Sequence, residues 1–237
     1  MFNKNYTMHY YKNNQTNSTF ENKISEIIID NYRDLINIDN DRALIIGKNQ
    51  LLHDEIGKIF KQLKTVFSSD IFDGEVENID QKFDAIFTPL ILHKVNNIEI
   101  LLKQIYNFLQ QKGVFFSTMF GSGNLFQLAE SMFLAYQKNG NKFINHFLPV
   151  VDVKDYGNLL QKIGFKNVIT STETFKKQYQ SIREAFQDIK NSGEGNSLKS
   201  RLNQPISRKI LADANEIFLK KHGGILECNV VFGFCNK

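Results

Sequence analysis

The chain predicts an α/β fold built on a mostly parallel, doubly wound sheet. Three observations carry that expectation. Short apolar runs alternate with amphipathic segments of helical spacing along most of the 237 residues, the pattern of strands joined by crossover helices. One such run, Arg42 to Gly47, ends in glycine and opens directly into a helical pattern. In an open α/β sheet that turn lies at the carboxyl edge of a strand, where nucleotide-like ligands bind. Glycines at 113 and 164 each stop a helical pattern and precede a further apolar run. The length suits one domain with a substantial core, and a 42% hydrophobic content excludes wholesale disorder.

In order, residues 1 to 19 are polar, with Phe2, Tyr6, Tyr10, Tyr11 and the following Phe20 as anchors. From Phe20 to Ile38, Ile24, Ile28, Tyr32 and Leu35 recur at helical spacing, so an amphipathic helix leads into the sheet. Asp39-Asn40-Asp41 breaks it. Ala43 to Ile46 is strand one, and the next helix carries Leu52, Ile56, Ile59, Phe60 and Leu63 on one face. Val66 to Asp70 reads as strand two, closing on an acid, and Asp84 to Phe87 as a strand before Thr88-Pro89. A helix over roughly Ile98 to Gln111 stops at Gly113, and Val114 to Met119 is a buried strand. Gly121-Ser122-Gly123 opens a helix whose stripe of Leu125, Leu128, Ala129, Met132, Phe133 and Tyr136 reads as core. A loop through Pro149 leads to a helix over Val153 to Ile163, with Gly164 as its C-cap. Phe165 to Thr172 is a strand. Helices follow around Ile182 to Lys190 and Ser207 to Lys221, separated by the polar loop Asn191 to Pro205. Glu227 to Phe234 closes the sheet, antiparallel and near an edge. With no internal repeat and no dividing linker, residues 1–237 form a single domain. Residues 1–41 are an N-terminal helical extension, and 120–150 and 176–225 are cap insertions over the carboxyl edge.

The net charge of +4 is spread through the chain. Lysine dominates over arginine and no basic stripe appears, which argues against a nucleic-acid surface. Lys199, Arg201, Arg208 and Lys209 form a small cluster that either steers an acidic carrier or other protein partner or is a solvated loop; the second reading is preferred. Cys228 and Cys235 fall on opposite faces of one strand and suit neither a disulfide nor a metal pair, so the expectation is a reducing, cytoplasmic setting. No apolar run reaches the length of a membrane span, the first twenty residues carry no signal-peptide core, and the five histidines show no metal spacing.

The run from Phe83 to Asn97, Phe-Asp-Ala-Ile-Phe-Thr-Pro-Leu-Ile-Leu-His-Lys-Val-Asn-Asn, resembles the segment after strand four of class I S-adenosylmethionine (SAM) methyltransferases. Within these it is similar to the branch holding the malonyl-carrier-protein methyltransferase of biotin synthesis and the mitochondrial complex I assembly factor. That branch carries an aspartate-then-apolar strand, a leucine-histidine pair, a tryptophan and a valine-asparagine step; Lys94 stands where the tryptophan is expected. Gly113 to Phe116 with Met119 to Gly121, Val153 to Gly157 with Gly164-Phe165, Ser192 to Asn196, and the opening Phe2-Asn3-Lys4 extend the likeness over nearly the whole chain, closest to the alphaproteobacterial and mitochondrial subgroup. The resemblance implies a Rossmann-like class I methyltransferase fold, with a mostly parallel sheet, an antiparallel closing strand and extra cap helices. It also implies SAM as cofactor, with Gly47, Lys48, Asn49, Asp70, Thr88, Leu90 and His93 at the cofactor site and no catalytic side chain assigned. Methyl transfer needs an acceptor held in line in a dry pocket more than it needs acid-base groups.

Two departures bear on activity. A SAM loop needs small residues so that backbone can approach the cofactor, yet Gly47 is followed by Lys48, Asn49 and Gln50. Asn tolerates left-handed backbone but adds bulk. Lys48 attracts the cofactor carboxylate and repels its sulfonium, each by about 4 kcal/mol at an effective dielectric near 20, so charge alone decides nothing. Ile45 also replaces an acid that many relatives carry. Asp70 either meets the ribose or caps a turn. Only thirteen residues separate Asp70 from Asp84, too few for both a helix and a third strand. The third-strand region is therefore expected to be shortened, with Glu75-Val76-Glu77 as a remnant. Two functions remain open: a SAM-dependent methyltransferase acting on a carrier-bound carboxylate or a protein, and a catalytically inactive assembly protein of the methyltransferase fold. The partner is an acyl carrier protein or a respiratory-complex subunit. Arginine hydroxylation is a third reading, implied only by the assembly-factor branch.

Overall fold

Strands of Val, Ile, Leu and Phe that read as unbroken apolar runs belong in the middle of a sheet covered on both faces, and six strands here form such a sheet. The computed structural model describes residues 2–3, 19–35, 42–66, 71, 73–76, 79–199 and 205–237. In chain order the elements are α1 (Thr19–Leu35), β1 (Arg42–Ile46), α2 (Gln50–Ile59), β2 (Gln62–Val66), β3 (Phe83–Thr88), a 3-10 turn (Leu92–Lys94), α3 (Ile98–Phe108), β4 (Leu109–Phe120), α4 (Phe126–Lys138), α5 (Val153–Ile163), β5 (Lys166–Gln178), α6 (Ile182–Asn191), α7 (Arg208–His222) and β6 (Ile225–Asn236). The strand order is β2-β1-β3-β4-β6-β5. The first four strands run parallel, and β6 enters antiparallel to both β4 and β5. The closing strand thus lies one place in from the edge, and β5 forms the edge itself.

Three apolar clusters follow from the periodicities. On one face, Leu44, Ile46, Ile86, Phe115 and Val231 pack under α3 and α5. On the other, Ala43, Ile45, Phe87, Phe116 and Val230 pack under α1 and α2 through Ile24, Ile28, Leu52 and Ile56. The third cluster lies off the sheet's carboxyl edge, where α4, α6 and α7 close around Met132, Ala185, Ala214 and Phe218. The paired ends of β5 and β6, out to Gln178 opposite Ile225, carry this cap.

Several boundaries differ from expectation. The second strand is described at Gln62–Val66, earlier than 66–70. Phe60 turns extended and donates its N–H back to Ile56, ending α2 and sending Leu63 into the strand. Residues 67–70, Asp70 among them, lie outside the described residues. Helix α3 ends at Phe108 because Leu109 is already extended. Gly113 therefore does not stop a helix; it closes an irregularity in β4, where a Cβ would meet the Phe83 carbonyl oxygen at 3.1 Å.

The third strand is absent among the described residues between β2 and β3. In its stead Ile71 and Val76 are buried against the α3 layer. The Val76 N–H donates to Gln104 Oε1 at 2.7 Å, and Gly74, at φ +92°, sits so close that a Cβ would lie 2.3 Å from the Asn97 carbonyl oxygen. Another close approach fixes β6: a Cβ at Gly233 would lie 2.6 Å from both Ser117 Oγ and the Tyr156 ring. Tyr156, fully buried on α5, shares a 2.6 Å hydrogen bond with Ser117 Oγ.

Candidate functional site

The parallel order of β1 and β3 sets their outgoing loops side by side at the carboxyl edge. Gly47 has φ +125°, a backbone region reserved for glycine. Its N–H donates to the Val66 carbonyl at 2.9 Å. The side where a Cβ would stand faces Pro89 O at 3.3 Å and Ile91 Cβ at 3.7 Å. Lys48 is exposed. Asn49 is nearly buried and its Oδ1 accepts the Leu52 N–H at 2.8 Å, so the side chain caps α2. Thr88 ends β3 with its hydroxyl oxygen buried and unpartnered among the described residues. Leu90, at φ +45°, is buried and its N–H donates to Thr118 Oγ1 at 3.0 Å. Gly47, Thr88 and Leu90 thus come together, and Asp70 lies outside the described residues.

His93 turns away from that group. Its Nε2 lies 3.0 Å from Glu194 Oε2, and its ring packs 4.9 Å from that of Phe120. Lys94 donates to the other oxygen of Glu194 and to the Gly193 carbonyl. All three side chains are at least 96% buried. Burial works against the Glu194 carboxylate, but the Lys94 charge and the hydrogen bonds from His93 and Lys94 outweigh it and hold its pKa below the usual range. Burial dominates at His93 and lowers its pKa against the pull of Glu194. A neutral imidazole donating from Nε2 follows, which leaves Nδ1 as a buried acceptor without a partner among the described residues.

The same corner is strapped by the chain's opening residues. The Phe2 N–H donates to Asn96 Oδ1 at 2.7 Å, Asn3 N–H donates to the Ser197 carbonyl, and Phe2 bridges Leu198. The 3-10 turn, the 193–198 loop and residues 2–3 are thereby one buried junction. The sequence marked the Phe2 and Ser192–Asn196 segments only through resemblance, and nothing in it paired Lys94 with Glu194.

Two cavities, of about 260 and 170 Å³, lie between this junction and the cap. Phe120, Leu125, Ile189 and Glu194 line both. Neither reaches Gly47, Asn49, Thr88, Leu90 or His93. Among the described residues no cluster of His, Cys, Asp and Glu could hold a metal, and no helix is long and apolar enough to cross a membrane.

No protein-family model matches the chain. It is 31% identical over 149 residues to the mitochondrial arginine-hydroxylase NDUFAF5 of Mus musculus, covering 62% of this chain and 43% of that one. It is 29% identical over 160 residues to a putative methyltransferase of Rickettsia prowazekii, covering 68% and 69%. It is 22% identical over 153 residues to a malonyl-[acyl-carrier protein] O-methyltransferase of Paenibacillus, covering 65% and 55%. The chain thus matches less than half the length of the mouse relative. Among solved structures, a putative methyltransferase from Bacillus halodurans superposes with TM-score 0.53 at 9% identity, over 88% of this chain and 98% of that one. This is the class I methyltransferase fold. A phosphoethanolamine N-methyltransferase of Haemonchus contortus, in complex with phosphomonomethylethanolamine and S-adenosylhomocysteine, shares it at TM-score 0.51 and 15% identity, over 89% and 52%. The mouse and Paenibacillus relatives carry the names of the two branches that the sequence resembles.

The methyltransferase fold implies SAM, and the residues present match that group in part. Gly47 keeps the bend at the end of β1. Against it, Pro89 and Ile91 cover one side of that bend, Asn49 is engaged as a cap, and the third strand is missing among the described residues.

Proposed function

We propose that this chain is a SAM-dependent methyltransferase-like protein with a narrowed cofactor site, acting on a carrier-bound carboxylate or on a protein. The carrying observation is the Gly47 bend at the carboxyl edge, packed against Pro89 and Ile91 of the loop that follows β3. That edge is where open α/β sheets take nucleotide-like ligands. The names of the Rickettsia and Paenibacillus relatives support the reaction class and that of the latter an acyl carrier protein as partner, while a respiratory-complex subunit is a partner implied by the resemblance alone. Gly47, Lys48 and Asn49 would hold the amino-acid part of SAM, Asp70 its ribose, and Thr88 and Leu90 the side toward the acceptor, while His93 is held by Glu194 outside that group. When bound, SAM supplies the activated methyl group; the chain's part is to orient it and exclude water. Two unbonded cysteines fit a cytoplasmic setting.

The Pro89 and Ile91 cover over one side of the Gly47 bend and the lack of a third strand among the described residues favour a second reading, an assembly protein that keeps the fold without the cofactor. Calorimetric titration with SAM and S-adenosylhomocysteine separates the two. The first reading expects saturable binding, weakened by Asp70→Ala, and a stabilisation of about 2.7 kcal/mol at a hundred times the dissociation constant. Neither heat nor stabilisation at millimolar ligand leaves the second reading standing.

A further inference from the structure

The two cavities have Phe120, Leu125, Ile189 and Glu194 in common, and the larger, at about 260 Å³, approaches the roughly 300–1,000 Å³ of small-molecule sites; its cleft is the one considered below. The body of the cleft is apolar, made by Phe120 at the end of β4, Leu125 ahead of α4 and Ile189 on α6. Its charges are mostly neutralised from within the chain. Glu194 is bound by Lys94 and His93, Lys177 pairs with Asp188 at 2.8 Å, and Lys176 pairs with Glu227 at 2.7 Å. Lys23, exposed on α1 at the mouth of the larger cavity, has no carboxylate partner among the described residues. That mouth therefore gathers Lys23, Lys176 and Lys177 with a surplus of positive charge, in front of an apolar interior.

We propose that the cleft binds an amphipathic anion, with a slender apolar body along Phe120, Leu125 and Ile189 and its anionic head at the Lys23 mouth. A medium-chain carboxylate has this chemistry. The apolar walls supply affinity in proportion to the surface they cover, and the Lys23 cation at one end sets the ligand's direction. The inference does not rest on the methyltransferase reading, because no part of the cleft touches Gly47 or Asn49.

Calorimetry on the full chain with hexanoate, octanoate and decanoate, without SAM, tests it. The dissociation constant should fall roughly fourfold per added methylene until the cleft is full. Decanoate should bind at least tenfold more tightly than decyltrimethylammonium. Lys23→Glu should weaken decanoate several-fold, whereas Lys190→Glu, at the smaller cavity, should leave it within twofold. Ile189→Trp should abolish binding by filling the shared wall. Should that variant misfold, the two surface charge reversals still decide. Absence of decanoate binding, equal binding of the two head groups, or equal effects of Lys23→Glu and Lys190→Glu would each overturn the proposal. A SAM titration that fails while decanoate binds would count against the proposed function alone.

Discussion

Lys94 is a cation with almost no exposure, and its counter-charge lies 100 positions away in the sequence. Removing one member of such a pair is far more costly than removing both, because the survivor is left charged and dry. Glu194→Gln should therefore destabilise the protein by about 3–5 kcal/mol in urea unfolding. Lys94→Met combined with Glu194→Gln should recover most of that loss, since Gln still accepts from His93. The junction also sets a pH dependence. Both folded-state pKa values are lowered, so over each titration range the unfolded chain binds more protons and stability falls on acidification. For His93 the loss starts as pH drops through its ordinary value of 6.5; for Glu194 it starts below 4.5. His93→Gln should remove the slope between pH 5 and 6.5 in chemical unfolding and leave the more acidic one. At this scale the sequence was least informative. The resemblance places His93 at a cofactor site, whereas its partner Glu194 arrives from a loop beyond α6 that no local pattern connects to it.

The elements were more legible, and the errors have physical causes. Helix α2 and strand β2 share the spacing of Ile56, Ile59, Phe60 and Leu63, which suits a helical face until Phe60 turns extended. The polar run from Glu173 to Gln178 has no apolar alternation to announce a strand, because β5 is an edge whose residues are mostly exposed. It extends all the same, held by β6. Asn49 belongs to both scales, since a candidate ligand residue is also the cap of α2. Asn49→Ala should cost about 1 kcal/mol in thermal or urea unfolding, and Asn49→Asp should cost little. Gly47→Ala forces a Cβ into a φ that only glycine tolerates and toward Pro89 O, a cost of about 1–3 kcal/mol. Loss of SAM binding in Asn49→Asp with stability intact would assign that side chain a ligand role as well.

For the whole molecule, the shortened third-strand region followed from counting residues, because a parallel crossover has a minimum length. The cap was foreseen from the helical stripes beyond residue 120, but not its separateness. Its core of Met132, Ala185, Ala214 and Phe218 is distinct from the two clusters on the sheet. Regions with their own cores open as units. Hydrogen exchange should therefore release the amides of α4, α6 and α7 together, before those of β1, β3 and β4. Exchange of all these elements at one rate would show a single cooperative unit.

The Gly233 notch bears on how β6 finds its place. That strand lies between β4 and β5 and pairs with both, so its register fixes the placing of the edge strand as well as its own. Sliding by two residues would keep every side chain on its own face yet bring Val231 or Cys235 opposite the Tyr156 ring, where no branch or thiol has room. The tyrosine thus acts as a proofreader of alignment, rejecting the misaligned sheets that face polarity alone would admit.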